Sequence, residues 1–175
     1  RHLSQHSENI RAVNKKGVKT RYLYSGLTCL FAKTPTMKSI AVAYNNAIEI
    51  KWESTSSKAK YNIMRKEGDG SWKTIKSNYS GTSYKDTTAK SGKKYTYSVK
   101  AVLSTSYGKA TSSYYSNSDM AVTYLRMPTL KEAVAVENGV NISWYTVSGA
   151  KGYTILRKNS DGSTGWSSVG KVGAD

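Results

Sequence analysis

The chain has 175 residues, with 27 Lys plus Arg against 11 Asp plus Glu, a formal net charge of +16 and a single cysteine. This length allows one or two ordinary domains; no run approaches the roughly 18 apolar residues of a transmembrane helix, and the first residues lack the layout of a signal peptide. One cysteine excludes a disulfide within the chain but leaves the compartment open, and the excess of cations points to polyanionic partners without naming a site.

The chain opens with His2 and His6, whose i, i+4 spacing would suit a metal on a helix; no helix is predicted there and no carboxylate or thiol lies close by, so both read as exposed residues of a truncated element. Cys29 stands in an alternating apolar strand with no histidine partner nearby, which makes it a small core residue rather than a reactive thiol. At Pro35 a new unit begins. "NAIEIKWE" (46–53) alternates strictly, with Ile48, Ile50 and Trp52 on one face and Glu49, Lys51 and Glu53 on the other, the period of a half-buried strand. "KYNIMRKE" (60–67) is a second strand, carrying Tyr61 and Ile63. The turn "GDGS" (68–71) before Trp72 is a strong hairpin signal. "TSYKDT" (82–87), "KKYTYSVKAV" (93–102) and "DMAVTYLR" (119–126) bring the unit to about seven strands, with 104–118 as a long loop rich in Ser and Tyr.

After Pro128 the same text returns, about 93 residues after Pro35, a period the size of a small domain and too long for a solenoid unit. Val140, Ile142 and Trp144 are expected inside, "GYTILRKN" (152–159) repeats the strand with Tyr153 and Ile155, and "SDGSTG" (160–165) leads to Trp166. The start of the chain fits the scheme as well: "SGLTCLFAKTP" aligns with "SDMAVTYLRMP" (118–128), placing Leu27, Cys29 and Phe31 where Met120, Val122 and Tyr124 stand, and "NIRAV" (9–13) aligns with "SVKAV" (98–102). Residues 1–34 thus read as the last strands of a preceding repeat, 35–127 as a complete domain, and 128–175 as the first half of a following repeat. The fold expected is all-β, an immunoglobulin-like antiparallel β-sandwich in tandem repeats.

A proline entering the first strand, a Trp closing the second, "GYxIxRK" in the third and "SGxKYTYSVKAV" near the end together resemble the fibronectin type III domain, closest to the tandem form in large surface and secreted proteins of Gram-positive bacteria. The resemblance implies a tyrosine corner at Tyr95, with the ring packed and the hydroxyl bonded to nearby backbone. The Arg-Gly-Asp tripeptide of some vertebrate members is absent from the 104–118 loop, so integrin adhesion is not implied.

The residues themselves offer little chemistry: no catalytic, cofactor or metal residue is singled out, Asp69 and Asp161 are accounted for by turns, and "KKYTYSVKAV" lacks the glycines and the strand-helix order of an RNA-stacking motif. Two candidate binding surfaces stand out. One is the loop with Tyr107, Lys109, Tyr114 and Tyr115, where tyrosine and serine favour adaptable recognition of proteins and sugars, against a plain solvated loop. The other is the basic cover of Lys58, Lys60, Arg65, Lys66, Lys73 and Lys76, against lysines that merely keep a strand edge from aggregating. The expected function is a non-catalytic spacer or display module of an extracellular or cell-surface protein. The alternatives are a binding module for anionic cell-wall polymer, glycan or surface protein, and an accessory domain of a polysaccharide- or protein-degrading enzyme. The partial repeats at the two ends are expected to complement each other between neighbouring chains or to stay loosely ordered.

Overall fold

The computed structural model describes residues 6–10, 23–43, 46–106, 108–113, 120–163 and 165–174, with side chains from Leu30 onward. Every extended element in it is a strand. β1 (His6–Ile10) and β2 (Leu23–Cys29) form an antiparallel pair. β3 (Met37–Ala43), β4 (Ala47–Trp52) and β7 (Ser83–Asp86) form one sheet in the order β3-β4-β7. β5 (Lys60–Glu67), β6 (Lys73–Tyr79), β8 (Lys93–Thr105) and β10 (Ala121–Tyr124) form a second in the order β10-β8-β5-β6, with β9 (Gly108–Thr111) also paired to β8. The two sheets face each other as a fibronectin type III-like antiparallel sandwich.

Alternation puts the large residues between the sheets. Ile48, Ile50 and Trp52 enter from β4, Tyr61 and Ile63 from β5, Tyr95, Tyr97, Val99, Ala101 and Leu103 from β8, and Tyr124 from β10, all buried. Trp52 meets the Tyr61 ring edge-on at 5.5 Å and lies 6.2 Å from Tyr79, the offset geometry that aromatic quadrupoles prefer. The chain changes sheets after β6, where Tyr79 donates its hydroxyl to the Ser83 carbonyl at 2.8 Å and Trp52 N–H reaches the Thr82 carbonyl at 3.0 Å. Ala32, Pro35 and Met37 are buried as well, so the entering segment packs into the core rather than hanging from it.

Two expectations change. The 104–118 stretch is not all loop: β8 runs on to Thr105 and pairs back with β9, and the Ser112 N–H extends the ladder to the Ala101 carbonyl at 2.9 Å. Gly108, at φ +129°, supplies the reversal, and Ser and Thr suit a half-wet strand as well as a loop. In the second copy, β11 (Thr129–Val136) pairs with β12 (Gly139–Tyr145), and β13 (Gly152–Arg157) with β14 (Ser167–Gly173). These sheets have two strands each, so no neighbour covers Val140, which is 63% exposed instead of inside.

The registers nevertheless recur. Met37 opposes Trp52, Ile40 opposes Ile50 and Val42 opposes Ile48; in the second copy Leu130 opposes Trp144, Ala133 opposes Ile142 and Ala135 opposes Val140, with a bulge after the first pair in both. Likewise Arg65 opposes Lys73 and Ile63 opposes Lys76, as Arg157 opposes Ser167 and Ile155 opposes Gly170, again with a bulge at the same step. At the start of the chain His6 opposes Cys29 and Ser7 opposes Thr28, the register in which Tyr95 opposes Val122 and Thr96 opposes Ala121.

Candidate functional site

Among the described residues the most concentrated polar chemistry is inside the sandwich. Asp86, at the end of β7, lies opposite Ile48 and is 1% exposed. Its carboxylate receives four donors: Arg65 Nη1 at 2.6 Å and the Tyr97 hydroxyl at 2.7 Å on Oδ2, and Thr88 N–H at 2.9 Å and Thr88 Oγ1 at 2.7 Å on Oδ1. Burial pushes the carboxyl pKa up, but the hydrogen bonds from Thr88, Tyr97 and Arg65 outweigh it and hold Asp86 below the usual carboxylate range. Burial and the adjacent carboxylate push the Tyr97 phenol well above its ordinary value. Arg65 is fixed further by the Tyr95 ring, 4.9 Å from its guanidinium carbon. A carboxylate with both oxygens occupied and almost no solvent contact has no lone pair to offer a substrate, so the cluster locks β7 to β5 and β8 and is not a general base.

Arg65 therefore leaves the basic cover in which the sequence placed it. It shares the inward phase of Tyr61 and Ile63 on β5, just as Asp86 shares the inward phase of Tyr84 on β7, and two oppositely charged residues in core phase are the signal that alternation alone contains. The tyrosine corner forms as the resemblance implies: Tyr95 is buried and its hydroxyl accepts the Lys90 N–H at 3.0 Å.

The basic candidates are spread across the larger sheet. Lys60 opens β5, where its ammonium donates to Ser80 Oγ, and Lys58 lies exposed just before it. Lys73 and Lys76 are exposed on β6, the strand that ends the sheet. Lys109 lies on β9, on the far side of β8, roughly 14 Å away at the usual strand spacing. Among the described residues no carboxylate pairs with Lys58, Lys60, Lys73, Lys76 or Lys109; the ion pairs are Lys38 with Glu53, Lys51 with Glu49, Lys93 with Glu67 and Arg65 with Asp86. Tyr107, Tyr114 and Tyr115 lie outside the described residues, as do His2 and the side chains of His6 and Cys29.

A cleft of about 840 Å³ opens where the sandwich meets the following strands, lined among others by Asn46, Lys90, Ser91, Arg126, Tyr145 and Ser148. Its floor is stitched. Ser91 Oγ donates to the Ser148 carbonyl at 2.7 Å and accepts the Arg126 N–H at 3.0 Å. Asn46 Oδ1 accepts the Met127 N–H at 2.7 Å, and the Asn46 carbonyl accepts the Tyr124 hydroxyl at 2.8 Å. No group of His, Cys, Asp and Glu among the described residues could hold a metal, and no helix there is long and apolar enough to cross a membrane.

No protein-family model matches the chain, and no curated protein matches it. Among solved structures it is similar to an Fn3-like protein from Clostridium thermocellum, at 28% identity over 47% of this chain and 84% of that one, with a TM-score of 0.41. It is also similar to the FN1-FN3 domains of chicken CNTN1, at 14% identity over 95% of this chain and 66% of that one, with a TM-score of 0.35.

Proposed function

We propose that the chain is a non-catalytic segment of tandem β-sandwich repeats that spaces or displays other parts of an extracellular or surface protein, of the kind found in Gram-positive bacteria. The recurring registers support three successive units: late strands in 1–34, a complete sandwich in 35–127 and early strands in 128–175. The observation that carries the spacer role is the junction. Leu125 to Pro128 is a short connection, and Ser91 hydrogen-bonds both to it and to the turn of the following unit. A flexible tether needs no such contacts, whereas a rod that holds its ends apart does. Residual dipolar couplings test it: the sandwich and β11–β14 should share one alignment tensor, and Ser91→Ala should give two. Independent tensors in the unaltered chain would overturn the reading.

A second reading has its own observation, the exposed Lys58, Lys60, Lys73 and Lys76 without carboxylate partners. These lysines are spread along the β5–β6 pair, Lys58 and Lys60 at one end and Lys73 at the other, and would hold an anionic cell-wall polymer or glycan in a salt-sensitive way. Retention on heparin or on cell-wall fractions at about physiological ionic strength, lost when the four become Gln, is the expected result for binding. Lack of retention leaves the spacer alone.

A further inference from the structure

The strands β11–β14 present to solvent the face that the complete sandwich buries. Val140, Ile142, Trp144, Tyr153 and Ile155 stand where Ile48, Ile50, Trp52, Tyr61 and Ile63 stand, and the registers of the two copies agree. In the complete unit all five are at most 2% exposed; in the second copy Val140 is 63% exposed and the other four are half-buried. A trough of about 430 Å³ is lined there by Ile142, Trp144, Tyr153 and Val172. Backbone groups are open as well. β5 lies between β6 and β8, whereas β13 pairs only with β14, which leaves one ladder edge of β13 unfilled among the described residues. The layer missing from this face is the one that β8 and β10 supply in the complete unit.

The chain carries such a layer before its complete unit. β1 and β2 pair in the register of β8 and β10, His6 on Cys29 as Tyr95 on Val122. Carrying the β5–β8 register over to β13 and β1 fixes which residues meet: Ile63 opposes Val99 and Arg65 opposes Tyr97, so Ile155 comes opposite Ile10 and Arg157 opposite Glu8. The second pair has a charge argument of its own. In the complete unit the arginine on the inward face of β5 is neutralised by Asp86 of β7, and Arg157, its counterpart, has no carboxylate partner among the described residues. A strand with a carboxylate at that position supplies what the second copy lacks, and β1 has one. A strand copied from β8 would bring a tyrosine there instead.

We infer that β1–β2 of one molecule add to β11–β14 of another, joining copies of this chain head to tail. One molecule does not supply both halves to itself. The chain enters β3 at Met37 and leaves β10 beside Asn46, at the opposite end of that strand, about 20 Å away over its seven residues. Ala32 and Pro35 are buried, so the segment from β2 to β3 is held in the core and does not swing across. The contact joins two different surfaces and leaves one of each free at every step, which builds a series. No counterpart of β7 arrives with β1–β2, so β12 keeps an open edge and Arg157 depends on Glu8. The inference rests on reading 1–34 and 128–175 as parts of repeats, and it concerns these 175 residues, for which a second copy is the source of such strands.

Analytical ultracentrifugation of the 175-residue chain over a concentration series tests it, at about physiological ionic strength and with hydrogen exchange followed alongside. The weight-average mass should rise with concentration, and the amides of β13 should gain protection as it rises. Glu8→Arg and Arg157→Glu should each weaken association by about fivefold or more, and the double variant should restore it. Bulk charge predicts otherwise: Glu8→Arg raises the net charge of +16 and Arg157→Glu lowers it, so self-repulsion alone would move the two in opposite directions. Unchanged thermal unfolding of the sandwich confirms that the variants fold. A single-chain mass at every concentration overturns the inference, as does association that neither reversal weakens or that the double variant fails to restore. NMR registers keep that failure distinct from failure of the repeat reading: with β11–β12 and β13–β14 paired as in the structure, a monomer leaves the repeats standing, and without those pairings both fall.

Discussion

Asp86 carries a negative charge where a neighbouring residue of the same sheet, Ile48, carries a hydrocarbon, and it stays charged because every lone pair that faces the core meets a donor. Removing one member of such a group leaves the others desolvated and unpaired, which is how a buried pair becomes costly. Asp86→Ala should destabilise by about 3–5 kcal/mol, read as a lower urea midpoint. The same contacts give a pH profile. The folded pKa of Asp86 is depressed below its unfolded value of 3.8, so its contribution is complete above that value and is lost as pH falls through the folded pKa. The Tyr97 phenol is raised from 10.0, so its contribution is complete below that pH and declines as pH rises further. Urea midpoints should therefore fall at both ends of the pH range. In Asp86→Asn the fall on the acid side should be reduced; an unchanged acid limb would show that other carboxylates control it.

The strands themselves show which parts of this structure a sequence exposes. β4 and β5 are legible because their apolar residues keep a period of two and their polar residues take the other face, and the repeat adds a second copy of the same evidence. β9 is hidden because Gly, Lys, Ala and Thr describe a wet edge strand and a loop equally well. Asp86 and Arg65 stand in core phase in the sequence, but their meeting depends on β7 lying along β4 and β5 along β8, a register that no single strand contains. The surface lysines were legible as exposed residues, and their split between β6 and β9 was not, since sheet order decides it. One device recurs at this scale in both units: the Tyr61 hydroxyl accepts the Thr55 N–H at 3.0 Å, and the Tyr153 hydroxyl accepts the Val147 N–H at 2.8 Å, each tyrosine pinning the loop before its own strand. Tyr61 is fully buried and Tyr153 is half-buried, so water can replace the lost acceptor only at the second. Tyr61→Phe should cost about 1–3 kcal/mol and Tyr153→Phe under about 1 kcal/mol, with faster amide exchange at Thr55 and Val147 respectively. Equal costs would show that the two loops are equally sealed.

For the molecule as a whole, the direction in which β11–β14 leave the sandwich is set by two glycines. Gly92 and Gly149 have φ of +81° and +84°, and a Cβ built on either would press into the backbone of the other. Ser91 Oγ and the Ser148 carbonyl, the residues just before them, close the hydrogen bond across the same gap. Backbone approaches backbone here with no side chain between, which is what the absence of Cβ permits. Gly149→Ala imposes two costs at once: a left-handed conformation worth about 1 kcal/mol or more in an alanine, and a contact that can be relieved only by moving the following strands away. The sandwich is untouched, so its urea midpoint should shift by less than about 0.5 kcal/mol equivalent. The amides of residues 90–92 and 147–150 should shift in NMR spectra, and the rotational correlation times of the sandwich and of β11–β14, expected to be equal in the unaltered chain, should separate. Gly139→Ala is the matched control, since a Cβ there meets nothing within 4 Å and its φ is not left-handed. If Gly149→Ala leaves both units tumbling as one body, the backbone contact does not fix the angle, and the rigidity must come from the hydrogen bonds of Ser91 to the Ser148 carbonyl and the Arg126 N–H, with Asn46 bracing the Tyr124–Met127 connection.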